Sequence, residues 1–547
     1  MDLILEDGPL LRVENLSVSF GRPDALTPIV HGVSFDIRAG ECFGLVGETG
    51  SGKSVTGLSI AGLRSPHSGI QTGRVSIGSR QLPEARDTAA MRAWRRDEVG
   101  VIFQSPTTAL NPRLSVREQL IEALPRATPR GERTRQAREL LDRVGVPRAT
   151  ERLDAFPREL SGGLAQRVMI AMALARGPRV LIADEPTTAL DVRVQRHILD
   201  LIDELRQDLG LAVLLISHDI GVVGDRADRL GVLRSGHLVE SGDTARILTA
   251  PADPYTRALI EANRVEGAHT AAAPTGNEPP REPLLEVRDL TKRFRRAPRR
   301  GPVPPAAVDS VSLSIGRGES VAIVGESGSG KTTLARMITG LTAPTSGALS
   351  LAPQLGIAPA NPRIARAQYV FQDQFSSLDP RWSVAAQLSE PLKNRGISGD
   401  ALPGEIGRLL GEVALDPALA TRYPAQLSGG QRQRVGIARA LASEPDFLVA
   451  DEPVSALDAL VRAEVVALLD RLRRERHMTL VLITHDLSIV SALSERVVVM
   501  RDGRIVEDAP THTVLTSPTH PYTRELLEAI PGTRIAALNS PHPLPER

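Results

Sequence analysis

The chain has 547 residues, room for several domains at about 100–200 residues each. Its 41% hydrophobic and 24% charged content is that of a globular protein, which excludes a wholly disordered chain, a collagen-like repeat and a coiled-coil rod. Sixty-six basic residues against 65 acidic ones leave a formal charge of +1, so no whole-chain field argues for nucleic acid as partner.

From Met1 to Leu10 the chain carries acids and no basic stretch before an apolar one, so a secretory signal is not expected and the protein is expected in the cytosol. Leu209 to Ile216, one of the longest apolar runs, has the length of a strand, and any membrane role is therefore expected to be peripheral. Cys42, the single cysteine, excludes an internal disulfide and any iron–sulfur or multi-cysteine zinc site within the chain; in ECFGLVG it is expected to be a small buried hydrophobe. Only four of the basic residues are lysines, at 53, 292, 331 and 393, and two of these fall in motifs.

The first motif is FGLVG at Phe43 running into GETGSGKS, Gly47 to Ser54, and then a helix-compatible stretch. This strand–loop–helix context identifies a P-loop. Gly47, Gly50 and Gly52 let backbone N–H groups converge on phosphate oxygens at a positive helix end, Lys53 supplies a point charge, and Ser54 is placed to ligate Mg²⁺. Gln104 follows the apolar strand VIF, and LSGG begins at Leu160. The strand VLIADE ends in Asp184 and Glu185, costly to bury together unless each has a role: Asp184 for the Mg²⁺ shell, Glu185 as general base. His218 closes LAVLLISH.

Every one of these features returns in the same order: VAIVG at Val321, the loop glycines Gly325, Gly328 and Gly330, Lys331, Thr332, Gln372, LSGG at Leu427, Asp451, Glu452 and His485. The histidine lies 34 residues beyond the aspartate in both copies, a duplication that argues for a functional histidine. The later motifs are offset by 267 residues and the lysines by 278, so the second copy is shorter by about eleven residues, most of them before Gln372. Gly267 to Pro283, rich in Ala, Pro, Gly and Thr, reads as a linker with an r.m.s. span on the order of 23 Å. The expected domains are 1–266 and 284–532, with a tail over 533–547.

Together the P-loop, glutamine, LSGG, ADEP, ALD and SHD or THD segments resemble the nucleotide-binding domain of ATP-binding cassette (ABC) proteins, twice, over roughly Leu11 to Arg264 and Leu284 to Pro531. The resemblance implies an α/β fold of two tandem P-loop NTPase domains, each a mixed-sheet core with a helical subdomain, docking head to tail so that each ATP lies between one P-loop and the opposite LSGG. It assigns adenine stacking to Phe20 and Phe294, Mg²⁺ sensing and contact with the membrane subunit to Gln104 and Gln372, and coupling of the sites to Asp191 and Asp458. One site then combines Lys53, Glu185 and His218 with Ser428, Gly429, Gly430 and Gln431. The other combines Lys331, Glu452 and His485 with Ser161, Gly162, Gly163 and Leu164. Leu164 stands where the family has Gln, so two unequal hydrolysing sites are expected.

Segments outside the ATP motifs narrow the resemblance. FQSPTTALNPRLSVREQL, FQDQFSSLDPRWSVAAQL, DPYTRALIEA from Asp253 and HPYTRELLEAIP from His520 resemble the ATPases of dipeptide, oligopeptide and nickel importers, here with two subunit types fused in one chain. That family often has a cysteine cluster after the last segment; none follows Pro531, so no iron–sulfur cluster is expected. The resemblance implies ATP hydrolysis with Mg²⁺ coupled to peptide uptake, at the cytoplasmic face of the plasma membrane. It further implies one chain per transporter, two integral-membrane permease subunits, an extracytoplasmic solute-binding protein and no nucleic acid. Another small solute (glutathione, nickel or an antimicrobial peptide) is the alternative cargo. A soluble twin-cassette ATPase acting on ribosomes or DNA is disfavoured by the short linker and the missing zinc-binding cysteines.

Overall fold

The computed structural model describes residues 8–22, 25–63, 68–84, 86–188, 190–268, 281–294, 305–351, 367–372, 377–455, 457–487 and 489–532. These residues form two compact units, 8–261 with 531–532, and 262–530. The expected tail, 533–547, lies outside the described residues, as does 269–280 of the expected linker.

In the first unit the strands are β1 (Leu11–Arg22), β2 (Ala25–Ile37), β3 (Cys42–Val46), β4 (Ser68–Ile77), β5 (Arg80–Gln81), β6 (Val99–Ile102), β7 (Val180–Asp184), β8 (Ala212–Ser217), β9 (Arg229–Arg234) and β10 (His237–Asp243). They make an antiparallel sheet in the order β2-β1-β4-β5 and a larger one in the order β10-β9-β3-β8-β7-β6. The larger sheet is parallel from β9 to β6, and only its edge strand β10 is antiparallel. β3, β7 and β8 are buried along their whole length, which is why CFGLV, VLIAD and AVLLIS read as continuous apolar runs and not as alternating ones. Cys42 sits inside this core, as expected, and burial pushes its thiol well above its usual range. The apolar run Leu209 to Ile216 is divided: Leu209 ends a helix, Gly210 turns the chain at φ 62°, and the strand begins at Ala212.

Between β6 and β7 the chain is helical, with Val116–Ala123, Arg130–Arg143 and Gly162–Leu174 as its longer elements. Ser115 starts the first of these with a reciprocal capping box to Glu118.

The second unit repeats the plan with β11 (Pro283–Lys292), β12 (Val308–Gly316), β13 (Ser320–Val324), β14 (Ser346–Leu351), β15 (Ala367–Val370), β16 (Phe447–Asp451), β17 (Thr479–Thr484), β18 (Arg496–Arg501) and β19 (Arg504–Pro510). Its sheets run β12-β11-β14 and β15-β16-β17-β13-β18-β19. The helices Val384–Asn394, Ala401–Glu412 and Gly429–Leu441 share a core with β16 and β17 through Leu388, Leu409 and Leu441. Among the described residues no helix is long and apolar enough to cross a membrane.

One packing difference between the copies is testable. At Gly44 in β3 a Cβ would come 1.9 Å from Val223 Cγ1 and 3.0 Å from Ala227 Cβ, whereas the matching position in β13 is a fully buried Ala322. Gly44→Ala is expected to cost the first unit about 1–3 kcal/mol through overpacking, read as an earlier first transition in chemical denaturation followed by circular dichroism.

Candidate active site

Three adjacent strands of each larger sheet deliver the site at their C-terminal ends, where parallel α/β sheets open a crevice. β3 ends at Val46 and passes into the Gly-rich loop, β7 ends at Asp184, and β8 is followed by His218; β13, β16 and β17 do the same in the second unit.

The loops lead into helices Lys53–Ile60 and Lys331–Ile338, each started by a left-handed glycine, Gly52 at φ 101° and Gly330 at φ 103°. The first loop glycine is obligatory for a second reason. A Cβ at Gly47 would lie 2.1 Å from the Leu233 carbonyl oxygen, and one at Gly325 would lie 2.2 Å from that of Met500. Lys53 Nζ donates to the carbonyls of Gly47 and Glu48 at 2.7 and 2.8 Å, and Lys331 Nζ to those of Gly325 and Glu326 at 2.7 Å each. Both lysines are buried with their charge directed along the loop. The loop hydroxyls of Ser51 and Ser329 are buried and have no hydrogen-bond partner among the described residues. Buried, partnerless donors in a glycine-rich loop at a helix start fit a phosphate chain.

Ser54 Oγ donates to Asp184 Oδ1 at 2.8 Å, and Thr332 Oγ1 to Asp451 Oδ1 at 3.3 Å. A hydroxyl beside a carboxylate is the hard-oxygen donor set that Mg²⁺ takes alongside phosphate and water, so these residues fit that ion. Burial pushes both aspartates above their usual range, against the hydrogen bonds they accept. In the second unit Tyr369 also donates to Asp451, and Arg336 hydrogen-bonds the same phenol.

Glu185 and Glu452 each sit at φ 46°, a left-handed backbone that a non-glycine residue adopts only at a cost. The turn separates two adjacent carboxylates onto different partners. Gln104 Nε2 donates to Glu185 Oε2 at 2.7 Å, Thr188 Oγ1 to the same oxygen at 2.9 Å, and His218 Nδ1 lies 3.2 Å from Oε1. In the second unit Gln372 donates to Glu452 Oε2, and His485 Nδ1 lies 3.0 Å from Oε1, while Ser455 bonds the Glu452 carbonyl instead of its side chain. Burial alone would raise both glutamates; the histidine bond and charge and the nearby lysine outweigh it, and both carboxyls fall below their usual range. For His485 burial opposes the charged form, but Glu452 and Asp486 prevail and its pKa rises.

Within each unit, then, the hydroxyl bonds the aspartate, the glutamine and the histidine contact the glutamate, and the loop lysine holds two carbonyls of its own loop. The remaining expected residues occupy separate places. Asp191 and Asp458 cap the helices Val192–Leu209 and Ala459–Arg476, accepting from Val194 and Val461 N–H at 3.0 and 3.1 Å. Phe20 is partly buried against the first unit's core, whereas Phe294 is 58% exposed with Lys292 Nζ 5.2 Å from its ring centroid.

Ser161 and Ser428 are the N-caps of helices Gly162–Leu174 and Gly429–Leu441. Ser428 and Gln431 form a full capping box, the Gln431 side chain accepting the Ser428 N–H at 3.0 Å. With Leu164 in the corresponding place, the first unit keeps only the bond from Leu164 N–H to Ser161 Oγ, at 3.4 Å.

Sequence reasoning missed three contributors. Tyr369 lies in β15, the strand before Gln372. Tyr255 and Tyr522 lie in the segments that resemble importer ATPases, and their hydroxyls accept the Glu48 and Glu326 N–H groups of the loops at 3.1 and 3.0 Å. A groove of about 370 Å³ also opens in the first unit, lined by Phe103, the residue before Gln104, together with Met169, Met172, Arg92, Arg96 and Arg176.

A family model described as "ABC transporter" matches residues 30–188 and 308–455, and one described as "Oligopeptide/dipeptide transporter, C-terminal region" matches 239–294 and 506–543. The chain is 40% identical over 566 residues to the glutathione import ATP-binding protein GsiA of Escherichia coli O6:H1, covering 96% of this chain and 90% of the relative. The GsiA of Salmonella typhimurium matches at 40% over 567 residues with the same coverage. Among solved structures, the RNase-L inhibitor aligns with TM-score 0.61 at 22% identity, over 91% of this chain and 90% of that one, a likeness of fold alone.

Restoring the missing half of the capping box gives a direct test of the Leu164 difference. Leu164→Gln is expected to stabilise the first unit by about 0.5–1 kcal/mol, and Gln431→Leu to destabilise the second by a similar amount, each measured as a shift in thermal midpoint.

Proposed function

This chain belongs to the ABC transporter family, and on that premise we propose that it energises import of short peptides, glutathione among them, by binding and hydrolysing ATP at both of its P-loops. It is an ABC-type ATP hydrolase of the importer class. The observation that carries the proposal is the repetition, in each unit, of a carboxylate–histidine–glutamine cluster next to a P-loop lysine and a hydroxyl–aspartate pair.

Bound ATP with Mg²⁺ supplies the phosphorus centre and neutralises charge on the phosphates. Loop N–H groups and Lys53 or Lys331 orient the phosphate chain. Ser54 with Asp184, and Thr332 with Asp451, hold the cation. Glu185 and Glu452, kept ionised by their surroundings, accept the proton of the attacking water, and His218 and His485 fix the carboxylates' direction. Gln104 and Gln372, bonded to the same carboxylates, are the route by which a membrane partner would feel the state of the site.

The peptide cargo is supported by the two matched C-terminal transporter segments, and glutathione by the relatives' printed activity. The groove next to Phe103, lined by apolar side chains and by arginines, suits an amphipathic helix with acidic residues from a permease subunit. An extracytoplasmic solute-binding protein would deliver the cargo to that permease.

Two experiments test this reading. Glu185→Gln with Glu452→Gln is expected to lower ATP turnover by roughly 10²–10⁴-fold with ATP binding retained; unchanged hydrolysis would remove both glutamates from the catalytic assignment. Affinity isolation from solubilised native membranes is expected to recover two multi-span permeases and a solute-binding protein that binds glutathione or dipeptides. Arg92→Glu with Arg96→Glu is expected to lose the permeases and keep ATP binding. Recovery of ribosomal or DNA-repair proteins without a permease would overturn the importer role.

A further inference from the structure

Each unit ends in a helix that opens with Pro-Tyr-Thr-Arg, Pro254 to Arg257 and Pro521 to Arg524, inside or beside the segments that the peptide-transporter model matches. In both, the tyrosine reaches back to the P-loop of its own unit. The Glu48 N–H is held by Tyr255 Oη at 3.1 Å while the Glu48 carbonyl is held by Lys53 Nζ at 2.8 Å. The Glu326 N–H is held by Tyr522 Oη at 3.0 Å while its carbonyl is held by Lys331 Nζ at 2.7 Å. One loop residue is thus gripped on both sides, and the grip is built twice.

The tyrosines have little freedom to follow the loop. Tyr255 is 5% exposed and Tyr522 is fully buried. The guanidiniums of Arg234 and Arg501, which end β9 and β18, lie 4.9 Å from the two ring centroids, a cation–π distance. The turns before the helices are also fixed. Glu240 accepts the N–H groups of Ala252 and Asp253, and Glu507 those of Thr519 and His520. A path of short contacts therefore runs from the edge strand of each sheet through the C-terminal helix to the loop.

A glycine-rich loop pays about 1–2 kcal/mol per residue when it is ordered around a ligand, and holding part of it in place beforehand removes some of that cost. We propose that Tyr255 and Tyr522 are positioning residues for ATP: through the Glu48 and Glu326 N–H groups they hold the first half of each P-loop in its phosphate-binding form. The C-terminal transporter segment is then a brace of the nucleotide site in its own unit. The proposal rests on the ATP reading above.

The test uses the full chain carrying Glu185→Gln and Glu452→Gln, titrated calorimetrically with ATP and Mg²⁺. Tyr255→Phe and Tyr522→Phe are added singly and together; phenylalanine keeps the ring and its arginine and removes only the hydroxyl. Loss of one hydrogen bond of net worth about 1 kcal/mol predicts binding weakened on the order of fivefold, at one class of site in each single variant and at both in the double. Singles decide the matter if the double variant does not fold. ATP dissociation constants within twofold of the parent overturn the brace, including where the thermal midpoint falls, because that pattern is a structural role alone. If the parent itself fails to bind ATP, the ATP reading falls and the brace with it.

Discussion

Two carboxylates at consecutive positions on the buried end of a strand are the constraint around which each unit is organised. Placed side by side with no partner, Asp184 and Glu185 would repel each other in a poorly solvated crevice, an arrangement that costs several kcal/mol. The backbone resolves the conflict at φ 46°, sending one carboxylate to Ser54 and the other to His218, Gln104 and Thr188. The burden divides unequally: burial raises the aspartate while hydrogen bonds and positive charge lower the glutamate. Two adjacent carboxylates at one strand end thereby take different partners and opposite shifts. The P-loop must follow a strand near this one, because its helix has to bring Ser54 within 2.8 Å of Asp184.

The same frame is built twice without chemical identity. Asp451 receives the phenol of Tyr369 where the first unit has Val101, and Arg336 backs that phenol where the first unit has Leu58. Thr188 supports the side chain of Glu185, whereas Ser455 supports only the backbone of Glu452. The helix that begins with LSGG is closed by a full capping box at Ser428 and by half of one at Ser161. These differences touch the aspartate, the glutamate and the LSGG helix, so the two units differ at more than Leu164. Tyr369 adds a donor to Asp451, where the matching Val101 has none to offer Asp184.

Much of this was legible in the sequence because each motif carries a local physical cause. Glycines at fixed spacing, a lysine before a hydroxyl and an acidic strand end are short patterns, and their duplication placed them in two domains. The full box at Ser428 was equally readable from Ser and Gln three residues apart, and its loss at Leu164 from the same spacing. What escaped was long-range. Tyr255 lies 207 residues from Glu48, and Tyr522 lies 196 from Glu326, so no local period marks either tyrosine as part of a phosphate loop. Tyr369 escaped because an aromatic in a strand is ordinarily core, and only the register β15–β16 reveals that its neighbour Val449 leads to Asp451. The run Leu209 to Ile216 has the length of a strand, but its apolarity continues across a helix end, a left-handed glycine and a strand start.

The fold by itself does not choose between a transporter subunit and another kind of twin-cassette ATPase. The RNase-L inhibitor shares the architecture over 91% of this chain at 22% identity, and such a likeness extends to the arrangement of elements and no further. Discrimination has to come from parts outside the ATPase motifs. Here those are the C-terminal segments, matched twice by a peptide-transporter model and accompanied by 40% identity to import proteins along nearly the whole chain. Their physical setting explains why such a segment would be kept in both copies. Each is tied by a buried tyrosine to the loop that must hold phosphate, so the feature that distinguishes the family is also the one that braces its nucleotide site.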